Sequence, residues 1–103
     1  MYARTVRYEG VSESEWEIGA GWFRHDYLPE VRERAGFEGA FLFRDREQEV
    51  TMSVTLWTDR ETATASGEAV QKHLDKWAEM TGRVPRIETF EVVHSEVSPM
   101  SAS

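Results

Sequence analysis

Residues 37–57 read FEGAFLFRDREQEVTMSVTLW, and this stretch decides the fold. Phe37, Gly39, Phe41 and Phe43 alternate with Glu38, Ala40, Leu42 and Arg44, the two-residue period of a strand running to Asp45. Val50, Met52, Val54 and Leu56 repeat that period as far as Trp57. The polar run Asp45-Arg46-Glu47-Gln48-Glu49 between the two is the turn of a hairpin. One face of the hairpin is strongly apolar, and Ala40, Leu42 and Trp57 add apolar area to the other, so both faces need cover.

Upstream, Ala3 to Glu9 alternate as a first strand ended by Gly10. Ser12 and Glu15 have capping-box spacing and open a helix. Its stripe of Trp16, Ala20, Phe23, Tyr27 and Val31 turns one face to a sheet. Gly19, Gly21 and Pro29 predict that this helix is weak early and bent near Leu28, and Gly36 stops the chain after it in the left-handed region. Downstream, Thr58 with Glu61, or Asp59, caps a second helix whose stripe is Ala63, Ser66, Val70, Leu74 and Trp77, with His73 beside it. Gly82 ends that helix, and Val84-Pro85 leads into a last strand from Arg86 to about Val97.

The order β-α-β-β-α-β predicts an α+β, ferredoxin-like fold: a four-stranded antiparallel sheet with both helices on one face. The other face is left bare, and a second copy packed sheet on sheet is its simplest cover, giving a homodimer. Residues 1–97 form the single domain, and the small polar run 98–103 is expected to be a flexible C-terminal tail.

Composition narrows the function. The 103 residues carry a net charge of −7, the wrong sign for a phosphate backbone, so no nucleic acid is expected as a partner. No run is long and apolar enough for a membrane span, no leader opens the chain, and cysteine is absent, which together fit a cytoplasmic protein. No thiol nucleophile or thiolate metal site exists, and His25, His73 and His94 match no zinc spacing, so no metal is expected. Phosphate-loop, serine-elbow and metal-helix motifs are missing too.

The most informative local feature is the run Thr62-Ala63-Thr64-Ala65-Ser66-Gly67, where a helix that should cover a sheet offers no side chain larger than Thr. Either its backbone packs close to the sheet or a cavity remains there. In the second case Phe23, Tyr27, Trp57 and His73 are its walls. Trp16 and Trp77 read as core, and Trp57 also reads as a corner anchor. Trp22 lies off the main stripe with Ile18 and His25, as a half-exposed residue, a dimer contact or a wall of the pocket. His73 is the candidate base, at the edge of the stripe facing the sheet, while His94 falls on the last strand. Arg7 and Arg44 are assigned inner strand positions that need a carboxylate such as Glu38 or Glu91, or else a ligand anion.

Leu28-Pro29, Ala35-Gly36-Phe37-Glu38-Gly39-Ala40 and Val54-Thr55-Leu56-Trp57-Thr58-Asp59-Arg60-Glu61 are fold markers, and through them the chain resembles the dimeric α/β-barrel superfamily, in particular antibiotic biosynthesis monooxygenase-like proteins. The resemblance spans about Ala3 to Val97. It implies a homodimer whose sheets close into one barrel, with a pocket in each subunit between sheet and helices. It also implies a cofactor-independent monooxygenase acting on a small aromatic or quinol substrate; in that case His73 or a bound water is expected to take the proton, with Trp22, Phe23, Tyr27 and Trp57 around the rings, and the alternative is a small-molecule-binding or structural homodimer without catalysis. The haem-degrading branch uses an Asn on its first strand, and this chain contains no Asn.

Overall fold

The hairpin forms where its alternation places it. Strand β2 (Phe37–Asp45) pairs antiparallel with β3 (Val50–Trp57), and the Gln48 N–H closes the turn by donating to Asp45 Oδ1 at 3.1 Å. The structure is a computed structural model describing residues 1–97; the tail expected at 98–103 lies outside the described residues. Strand β1 (Tyr2–Tyr8) lies between β3 and β4 (Arg86–Glu91), giving a four-stranded antiparallel sheet of order β2-β3-β1-β4.

Helix α1 (Glu13–Trp22) starts on the expected capping box: Ser12 Oγ accepts from the Glu15 N–H at 3.2 Å, and Glu15 Oε1 accepts from the Ser12 N–H at 3.1 Å. The expected bend takes a specific form. Phe23–Tyr27 is a π-helical turn, closed by the Leu28 N–H on the Phe23 carbonyl, before α2 (Leu28–Arg32) resumes the ordinary winding. Pro29 accounts for it, because its ring has no N–H to donate and crowds the carbonyl four residues back, so the preceding turn widens. Helix α3 (Arg60–Thr81) is capped by Asp59, whose Oδ1 accepts from the Thr62 N–H at 2.8 Å, and ends at Gly82 with φ +73°.

Two expectations are corrected. The pairing slips between Phe37 and Gly39, so that Phe37 lies opposite Trp57 and Gly39 opposite Leu56. The bulge at Glu38 thus turns Phe37 to the helix side, edge-on to Trp57 at 5.7 Å between ring centroids, away from Phe41 and Phe43. Strand β4 stops at Glu91 rather than running to Val97, since its partner β1 begins at Tyr2, directly opposite. His94 is therefore past the strand and exposed.

The helices cover the face that carries Val6, Ala40, Leu42 and Trp57, around a core of Phe23, Tyr27, Val31, Trp57, Ala63 and Val70. The more apolar face is left open. There Phe41 is 39% exposed and Phe43 and Phe90 are each 49% exposed, beside Met52, Val54 and Leu56.

Candidate functional site

A cleft opens between the first helix and the covered face of the sheet. Trp16, Trp22, Phe23 and Tyr27 form one wall, Val6, Tyr8, Leu42, Thr51 and Ser53 form the floor, and Leu74 and Trp77 of α3 form the far side. The π turn builds part of this wall, since Phe23 and Tyr27 stand at its two ends with their rings stacked 5.5 Å apart. About 550 Å³ is free of protein atoms, open mouth included. The cleft is a narrow slot lined mainly by apolar and aromatic side chains.

Two of its polar atoms are orphaned. The Tyr8 hydroxyl and the Trp16 indole N–H are buried without a hydrogen-bond partner. Burial, with a smaller contribution from Tyr27, pushes the Tyr8 phenol up to about 12, and burial also raises Tyr27. Both phenols keep their protons at neutral pH and act as donors. The Arg44 guanidinium lies 4.1 Å over the Trp16 ring and pairs with Glu13, holding that indole in place.

Glu15, at the rim, has no spare basicity. It accepts from Arg83 Nη2 at 2.9 Å and Arg83 Nε at 3.1 Å, and these bonds with those from Ser12 hold its carboxyl down at about 2. Its ordinary value is 4.5, so the stabilising contribution of this pair is complete above that pH and is lost as the pH falls toward 2. In urea titrations at successive pH values, Glu15→Gln should abolish that part of the acid destabilisation. An unchanged acid slope in the variant would remove the pair from the account.

The structure brings three of the expected residues, Trp22, Phe23 and Tyr27, into the cleft. Trp57 is fully buried at the end of β3, its indole N–H donating to Thr55 Oγ1 at 2.9 Å, and it does not line the cleft. His73 sits outside the slot: its Nε2 lies 2.9 Å from Glu30 Oε2, its ring is 5.8 Å from that of Trp22, and it borders a separate outer groove with His25 and Asp26. Trp22 divides cleft from groove, lining both.

The space beneath the small run of α3 is filled. A Cβ on Gly36 would lie 2.6 Å from Thr62 Oγ1, and one on Gly67 would lie 2.7 Å from Arg4 Nε. The open volume is instead about two to three turns further along, at Leu74 and Trp77. Arg7 faces the open side of the sheet and pairs with Glu9 at 3.3 Å; the inward guanidinium of β1 is that of Arg4. Arg4 and Arg7 are three residues apart, an odd step that puts them on opposite faces, and counting parity from Val6 finds this in the sequence. Tyr8 and Trp16 were legible in the same way, as an inward strand position and the first residue of the helical stripe.

Among the described residues, no group of three or more His, Asp or Glu could hold a metal ion, and no helix is long and apolar enough to cross a membrane.

No protein-family model matches the chain, and no curated protein matches it by sequence. Solved structures do match in shape. A monooxygenase of Streptomyces coelicolor in complex with nanaomycin D is 10% identical, over 95% of this chain and 92% of that one, with a TM-score of 0.77. A variant of SnoaB, a cofactor-independent oxygenase from Streptomyces nogalater, is 15% identical over 91% and 94%, with a TM-score of 0.66. A dimeric ferredoxin-like protein from an uncultured marine organism is 16% identical over 94% and 98%, also with a TM-score of 0.66. At such identities the likeness is one of architecture, and the chain has the α+β, ferredoxin-like fold of the antibiotic biosynthesis monooxygenase-like and dimeric ferredoxin-like proteins.

Proposed function

We propose that the chain is a homodimer that binds one small aromatic or quinol molecule in the cleft of each subunit and oxygenates it without a cofactor. The observation that carries this reading is the pair of orphaned donors, Tyr8 hydroxyl and Trp16 N–H, in an otherwise apolar aromatic slot. A flat ring held by Trp22, Phe23 and Tyr27 would place its oxygen against those donors; Trp57 backs Phe23 and Tyr27 from the core. The matching shapes of two oxygenases, one holding a ligand, and of a dimeric protein support it.

The chemistry is that of an acidic ring carbon. A hydroxylated anthrone loses a proton, and the two donors stabilise the resulting anion. The proton passes to water and on to His73, which Glu30 orients behind Trp22. The anion gives its electrons to dioxygen, a carbon–oxygen bond forms, and the resulting peroxide anion takes up a proton to give the hydroperoxide. Loss of water then leaves a carbonyl where a methylene stood: one dioxygen is consumed, one oxygen atom enters the product and the other leaves as water.

The alternative is a dimer that binds such molecules without turning them over. It is favoured by the lining itself, where among the described residues the only carboxylate, Glu15, is tied to Arg83 and no imidazole is present. Titration with dithranol separates the readings. Tryptophan fluorescence is expected to quench to saturation at one ligand per chain, with Trp22→Ala weakening binding roughly tenfold, the effect of losing a stacked ring. Oxygen uptake matching product formation marks the enzyme, quenching without uptake marks the binding protein, and no quenching defeats both.

A further inference from the structure

Arg4 is a buried charge with no anionic partner among the described residues; the Tyr27 hydroxyl lies against it as a neutral acceptor. Arg4 is 5% exposed, it enters none of the ion pairs found among the described residues, and its Nη1 is buried without a hydrogen-bond partner. Its cross-strand neighbour offers little help, since Thr55 Oγ1 already accepts from the Trp57 indole. A guanidinium cannot shed its charge by deprotonating, so burial without an anion is unfavourable for as long as the site stays empty.

The fold has nevertheless been shaped around it. Gly67 leaves the room the guanidinium takes: a Cβ there would lie 2.7 Å from Arg4 Nε and 2.9 Å from Nη2 and would push that side chain aside. Ala63 and Ser66, buried on the same stretch of α3, keep that part of the helix small as well. Arg4 does not itself line the cleft but lies behind residues that do. Val6, the next residue of β1 on the same face, lines the cleft, and so does Tyr27, whose hydroxyl has the Arg4 guanidinium beside it.

We propose that Arg4 is an anion-recognition residue, and that the molecule taken by the cleft carries an ionised oxygen, phenolate or carboxylate, at the edge of its ring system that enters first. This rests on the reading of the cleft as an aromatic site. The Tyr27 ring must turn aside to admit the anion; it ends the π turn, a rare winding that is frequent at functional sites.

Two pairs of probes, matched in shape and differing in charge at neutral pH, test it by calorimetric titration: lawsone against its methyl ether, for an ionised ring oxygen, and naphthoate against naphthamide, for a carboxylate. The wild-type chain is expected to prefer the anion of at least one pair tenfold or more, and the pair showing the preference names the group. Arg4→Met should bring the members of that pair to equal affinity and, with no ligand present, should melt higher than the wild type, the opposite of what a merely structural arginine would do. Should Arg4→Met not fold, Gly67→Ala is expected to reduce the preference by displacing the guanidinium. Equal affinities within both pairs on the wild-type chain overturn the proposal while leaving the aromatic cleft standing. Failure of all four probes to bind removes both.

Discussion

Phe43→Glu is expected to turn a dimer at micromolar concentration into monomers that keep their fold. The reasoning starts from the open face of the sheet, where Phe41 and Phe43 stack with ring centroids 5.6 Å apart and planes 8° from parallel, standing 39% and 49% exposed. Phe90 adds a third ring on the far strand, and Met52, Val54 and Leu56 fill the middle. In the proposed dimer this face packs against its own copy, so a two-fold axis through it brings each residue in twice and each substitution counts twice. Losing one phenylalanine's burial costs about 1.5–3 kcal/mol, hence roughly 3–6 kcal/mol for the pair before any penalty for burying carboxylates. That weakens association by a factor of about a hundred to ten thousand or more. The helix side is untouched, so far-ultraviolet circular dichroism should be retained. Sedimentation of the wild-type chain as a folded monomer at tens of micromolar would defeat the dimer directly.

The elements that the sequence made legible are those set by local periodicity and punctuation. The capping box at Ser12 and Glu15, the inward stripe from Trp16 to Val31 and the left-handed stop at Gly82 all follow from spacing, and each is found where the spacing puts it. What was hidden depends on more than one segment at once. The bulge at Glu38 reverses Phe37, and a simple alternation cannot show it because the extra residue appears only against the partner strand. The small run of α3 signalled that something lies close to it, and the sequence could not say whether that was a void or a side chain from elsewhere. It is the Arg4 guanidinium, brought against Gly67 from more than sixty residues away. His73 illustrates the same limit from the other side. The edge of a helical stripe is ambiguous by one step, and that step decides between the slot and Glu30.

Trp57→Ala is expected to cost about 3–5 kcal/mol, a large share of the roughly 5–15 kcal/mol that holds a domain of this size together. Trp57 has no exposed surface, shares the core with Phe23, Tyr27 and Val70, and presents its ring to the edge of Phe37. Truncation empties that space and leaves the Thr55 hydroxyl, itself buried, without its donor. With roughly 4–8 °C of melting temperature per kcal/mol in a domain of this length, the variant should melt more than about 12 °C below the wild type. Trp57→Phe separates the corner from the cleft. It keeps an aromatic ring in the core but removes the indole N–H together with part of the ring volume, so it should lose about 1–3 kcal/mol of stability, and pairing it with Thr55→Val should recover the part that comes from the orphaned acceptor. Since Trp57 does not line the cleft, dithranol should quench the fluorescence of Trp57→Phe with the affinity it shows for the wild type. A stable Trp57→Phe protein that had lost the ligand would instead place Trp57 in contact with it.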